Sequence, residues 1–113
     1  MRTLITTLLA LSAAAFGQGD LKRISTADAL AAATAKVQPE YPAFAKQLKV
    51  HGSTEVEAVI AEDGTVEKVN IVSGNPMLTK AAADALKRWK FKPFMTEGKA
   101  VKAVALLGFD FKM

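Results

Sequence analysis

The sequence predicts an α+β domain: an antiparallel three-stranded sheet with two helices packed on one face. From Ser53 apolar residues recur at every second position, whereas from Leu78 they recur three and four apart, the periods of a strand and of a helix. Asp63-Gly64 stands between two alternating stretches and is a strong hairpin signal. A further alternating run closes the chain. With 113 residues, half of them apolar and 23% charged, there is material for one core and no compositional sign of disorder.

The chain opens with an address. Met1 and Arg2 precede an uncharged run from Thr3 to Gly19 with an apolar heart from Leu4 to Phe16. As a helix that heart reaches ~20 Å, short of the ~30 Å hydrocarbon core. It reads as a signal peptide, residues 1–17, with Ala15 and Gly17 as the small residues before a cut. Export to the periplasm is the consequence. The alternative is an uncleaved anchor in the inner membrane facing the periplasm, using the whole uncharged run at ~26 Å. Residues 18–36 form a polar connector and an Ala-rich helix, Ala27 to about Ala35, capped by Ser25 or Thr26.

From residue 37 to 113 one domain is expected. Pro39 and Pro42 fix two φ angles and hold Gln38 and Tyr41 extended. Pro42 then starts a short helix, Ala43 to about Lys49, with Phe44, Ala45 and Leu48 as its apolar stripe and Gly52 as its stop. Thr54, Val56, Ala58 and Ile60 face the core from the first strand. The return strand, Thr65 to Ser73, alternates poorly, and a bulge near Lys68 reconciles it. Asn75 caps the next helix with Pro76 at its first position. Leu78, Ala81, Ala82, Ala85, Leu86 and Trp89 form its buried face. After Phe91, Pro93 and the Glu97-Gly98 turn, Val101 to Lys112 reads as the last strand, with Val101, Ala103, Ala105, Leu107, Phe109 and Phe111 on one face. At ~3.3 Å per residue it reaches ~40 Å, more than the first hairpin can pair, so part of it is expected to keep a free edge.

Reactive chemistry is sparse. Cysteine is absent, which excludes disulfides, thiolate sites and a lipid-modified N-terminal cysteine. His51 is the only histidine and sits by a Gly turn, where no metal cluster can gather around it. Ser73 lacks a nucleophile elbow. Glu55 and Glu57 read as solvated carboxylates on a strand. The glycines do not make a phosphate loop. No catalytic residue, cofactor or metal is predicted, and the protein reads as a non-enzyme. The net charge of +4 is interspersed except at Lys87, Arg88, Lys90 and Lys92, a helix end where cations are ordinary, so nucleic acid is not an expected partner.

Gln38, Pro39, Glu40, Tyr41 and Pro42, then Ala45 and Gly52, make the pattern QPEYPxxAxxxxxxG. After Asp63-Gly64 comes SGNPxLxxAAxxAxxxWxFxP, from Ser73 to Pro93. In this order and spacing, from Val37 to Met113, the sequence resembles the C-terminal domain of the TonB energy transducers. The resemblance implies binding of the TonB box, an extended peptide near the N-terminus of outer-membrane transporters, by β-augmentation. It implies Gln38, Pro39, Glu40, Tyr41 and Pro42 as contacts, and Val101, Lys102, Ala103, Val104, Ala105, Leu106 and Leu107 as the pairing edge. Typical transducers also carry a long membrane helix and a Pro-rich spacer. This sequence, with four prolines, shows neither, so any link to inner-membrane motor proteins is expected to run through another subunit. A scaffold that self-associates, for instance as a homodimer, is the alternative.

Overall fold

The computed structural model describes residues 21–113; the expected signal peptide or anchor lies outside them. The fold is α+β, but its main sheet has four strands, not three. In chain order the elements are β1 (Lys22–Ile24), α1 (Thr26–Ala32), β2 (Ala33–Ala35), α2 (Ala43–Gln47), β3 (Gly52–Ile60), β4 (Val66–Ser73), α3 (Pro76–Lys87), β5 (Lys90–Phe91), β6 (Phe94–Thr96), β7 (Lys99–Val101) and β8 (Ala103–Phe111). The sheet runs β1-β8-β3-β4. β3 is central, pairing antiparallel with β8 from Gly52↔Phe111 to Ile60↔Ala103 and with β4 on its other side. β1 adds to β8 in parallel.

The two periods act as expected at the centre. Val56, Ala58 and Ile60 of β3, Leu78, Ala82 and Leu86 of α3, and Ala103, Ala105 and Leu107 of β8 join Trp89, Phe91 and Phe111 in one buried cluster. Alanines at the interface let α3 lie close to the sheet. Asn75 caps α3 by accepting from the Met77 amide at 2.8 Å, with Pro76 in the first turn. The β3–β4 ladder skips a residue at Glu67, where Ile60↔Val66 gives way to Val59↔Lys68. A second skip falls at Val72, and Ile71 and Val72 on this outer strand are both exposed. These two bulges explain why the apolar residues of β4 do not alternate.

Four local expectations are corrected. The Ala-rich helix stops at Ala32, because Ala33–Ala35 pair with Lys90–Phe91 and the Lys92 amide donates to the Ala32 carbonyl. A tertiary pairing thus overrides the helix propensity of alanine. Lys22 and Arg23 of the expected connector lie in a strand, Lys22–Ile24. In α2 only Ala45 is buried, while Phe44 and Leu48 are 62% and 54% exposed. That helix is five residues long, and the chain turns away at Lys49 (φ 56°) before a second turn could reach the core. The last strand is broken at Lys102. Glu97 and Gly98, both at positive φ, close a tight β6–β7 hairpin, the backbone such two-residue turns require. β8 begins after it.

Gly64 (φ 92°) is where the β3–β4 turn docks on the rest of the fold. The Phe91 amide donates to its carbonyl at 2.9 Å, and a Cβ on Gly64 would overlap the Phe91 carbonyl. Gly64→Ala is therefore expected to cost more than ~2 kcal/mol, read as a lower urea midpoint, and to expose Trp89 and Phe91 to quencher earlier in the transition.

Candidate functional site

The outer edge of β8 is the place to look, since a strand that is not enclosed turns half its peptide groups outward. The Lys22 amide donates to the Lys102 carbonyl at 2.9 Å, and the Thr26 hydroxyl donates to the Leu106 carbonyl at 2.6 Å. These bonds fix the parity. Even-numbered residues of β8 turn their N–H and C=O away from β3, and odd-numbered residues turn theirs toward it.

Along that row the expected edge divides. Val101 belongs to the β6–β7 hairpin, and Lys102 forms an ion pair with Glu67 at 3.2 Å. Ala103, Val104 and Ala105 are paired in register with Lys22, Arg23 and Ile24. Leu106 has its carbonyl bonded to Thr26, and Leu107 faces the core. The part expected to be free is thus largely occupied by the chain itself. Beyond it, Gly108 and Asp110 turn their peptide groups to the same side, and no strand among the described residues pairs with them there. Sequence reasoning stopped the edge at Leu107. The alternation running on to Phe111 was the signal that it continues.

The proline-rich segment borders this vacant end. The buried Trp89 indole N–H donates to the Val37 carbonyl at 3.0 Å, and its ring meets Phe109 edge-to-face at 5.7 Å. The result is a cleft of about 270 Å³ with Lys36–Pro39 on one wall, Trp89 between and Gly108–Asp110 on the other. Gln38 and Pro39 are therefore brought to β8. Glu40, Tyr41 and Pro42 face another groove, of about 530 Å³, shared with Pro76, Met77 and Arg88. The Tyr41 hydroxyl donates to the Val50 carbonyl at 2.6 Å. Its ring stands edge-on to Phe111 at 5.5 Å, with the Lys46 ammonium 5.7 Å from the ring centre. Tyr41 thus anchors the segment.

Elsewhere the polar groups satisfy one another. Asp63 accepts from the Thr65 hydroxyl and amide at 2.7 and 3.0 Å, which holds its carboxyl below the usual range; the Thr65 hydroxyl is the larger cause. Ser73 donates to Glu55 at 3.3 Å, His51 is exposed, and no group of three potential metal ligands forms among the described residues. No helix of the described residues is long and apolar enough to cross a membrane. What the arrangement offers is hydrogen bonding by main chain beside an aromatic-floored cleft.

Replacing Trp89 by Phe keeps most of the buried area and removes the bond to Val37. It is expected to lower stability by about 1 kcal/mol and to speed amide exchange in the Val37–Glu40 stretch more than in β3.

The model of the family "Gram-negative bacterial TonB protein C-terminal" matches residues 37–113. The chain is 35% identical over 63 residues to Protein TonB of Escherichia coli, covering 54% of this chain and 26% of that one. It is 30% identical over 101 residues to Protein TonB of Vibrio cholerae, covering 88% and 41%. The chain thus spans less than half the length of these curated relatives. Its fold is similar to the solution NMR structure of the Pseudomonas aeruginosa TonB CTD, with a TM-score of 0.60 and 26% identity over 72% of this chain and 84% of that one.

Proposed function

This chain belongs to the TonB C-terminal family, and we propose that its domain binds an extended peptide of the TonB-box type from an outer-membrane transporter. The binding is non-enzymatic: the guest adds to the β8 edge through main-chain bonds, while the neighbouring cleft reads its side chains. The observation that carries this reading is the juxtaposition of the Gly108 and Asp110 peptide groups, which no strand among the described residues pairs on their outer side, with the Lys36–Pro39 wall over Trp89. The guest would run along β8, competing for the Ala103–Leu106 groups and meeting Gln38 and Pro39 at the far end. Glu40, Tyr41 and Pro42 would contribute through the second groove or by holding the segment in place. The protein would work in the periplasm, exported or anchored, and would support energy-dependent transport with motor proteins reached through another subunit.

A second reading, self-association as an envelope scaffold, is favoured by the other sheet edge. β4 has no strand beyond it among the described residues, and Ile71 and Val72 are 53% and 54% exposed there. Homodimers through β4 would leave the β8 edge untouched.

A synthetic TonB-box peptide, titrated into the full chain, is expected to shift the Gly108 and Asp110 amides. Gly108→Pro removes an edge-facing donor without touching the β3 ladder, and should weaken binding by about tenfold. Undiminished binding by this variant would remove the edge from the mechanism. A dimer at micromolar concentration with silent β8 amides would transfer the case to the scaffold.

A further inference from the structure

One strand already lies on the proposed binding edge, and it belongs to the chain. β1 sits parallel to β8, Lys22 opposite Ala103 and Ile24 opposite Ala105. Its amide at Lys22 bonds the Lys102 carbonyl, and the register turns the Val104 and Leu106 amides toward β1 carbonyls. Thr26, just past it, takes the Leu106 carbonyl. These are the groups that a guest needs along the upper half of β8.

β1 is attached lightly. It has three residues against the nine of β3 that pair with β8. Lys22 and Arg23 are exposed, and Ile24 alone packs against the core. The Lys22 ammonium adds one bond, to the Met95 carbonyl at 2.9 Å. Release of β1 need not disturb α1. Ser25 caps that helix by accepting from the Asp28 amide, Ala29 is buried in the core, and Ala32 is held by the Lys92 amide. Ser25 itself is extended (φ −67°, ψ 157°) and sits at the junction where a hinge would lie.

We propose that β1 is an autoinhibitory strand: it fills the upper half of the β8 edge in the resting protein and must peel away for an extended guest to pair along the whole strand. The proposal rests on the function proposed above and adds its regulation. A tethered strand lowers the apparent affinity of a guest by the fraction of time the edge is bare. With β1 in place a guest reaches only Gly108 and Asp110, too short a ladder for firm pairing.

The chain has no cysteine, so a reversible lock is simple to build. Arg23 and Val104 face each other across the β1–β8 pair. The full chain carrying R23C and V104C is titrated with the TonB-box peptide, oxidised and then reduced. The expected result is binding about tenfold weaker in the oxidised form, restored by reductant. A second variant, Lys22→Pro with Thr26→Val, removes three of the attachments, the Lys22 amide and ammonium bonds and the Thr26 hydroxyl bond, and should bind about threefold more tightly than the natural sequence. Without any peptide, the Val104 and Leu106 amides, which face β1, should exchange faster than Ala105 and Leu107, which face β3. Equal affinity in the oxidised and reduced forms, or equal protection of the two sets of amides, would overturn the autoinhibitory strand and leave the binding function standing. Failure of the natural sequence to bind the peptide at all would instead overturn the binding function, and the strand's role with it.

Discussion

The fold is organised by the need to satisfy the peptide groups of β8. One side of that strand is consumed by β3 over its full length; the other must find partners, water or a guest. Three answers appear in succession along it. β1 takes the first part, the Thr26 hydroxyl closes the middle at Leu106, and the last part, at Gly108 and Asp110 beside the cleft at Pro39, has no strand partner among the described residues. A side-chain hydroxyl where the strand partner ends suits its place. It satisfies one carbonyl without extending the ladder, so the edge stays open just beyond.

Trp89 connects this edge to the core. Its indole lies at the end of α3, packed on Phe91 and edge-on to Phe109, where a large apolar body is worth most. Its one polar atom reaches outward to Val37. The same residue thus completes the hydrophobic cluster and sets the distance between the proline-rich segment and β8. Pro39 and Pro42 then keep that segment extended at little entropic cost. A wall built this way is stiff before any guest arrives, and a preformed cleft loses less freedom on binding than a mobile loop.

What was legible in the sequence was what local pattern determines. The face of α3 from Leu78 to Leu86 with Trp89 just past its end, the Asp63-Gly64 hairpin and the bulge near Lys68 come from period, turn chemistry and a broken alternation. The failures share a cause. Lys22–Ile24 and Ala33–Ala35 are short and lack a period of their own; each becomes a strand only because a distant segment offers unpaired peptide groups. Phe44 and Leu48 have helical spacing, yet a helix of five residues cannot turn a full stripe inward. The site was half legible for the same reason. Gln38 and Pro39 stand out as a motif, but Gly108 carries no side chain to mark it, and only its position on an edge singles it out.

Backbone bonds alone do not decide between β1 and a guest. Each contributes about 1 kcal/mol net, and a visitor replacing β1 on Lys102–Leu106 makes much the same bonds that β1 gives up. The difference must come from elsewhere. One source is the added ladder at Gly108 and Asp110, which β1 is too short to reach. The other is the cleft over Trp89, where a guest side chain can be buried against Pro39 and Phe109 while β1 offers only Ile24 to the core. On the proposed function, specificity would therefore reside at the far end of the strand even though most of the hydrogen bonds lie at the near end, and a polar, three-residue β1 would yield to a sequence that fills both.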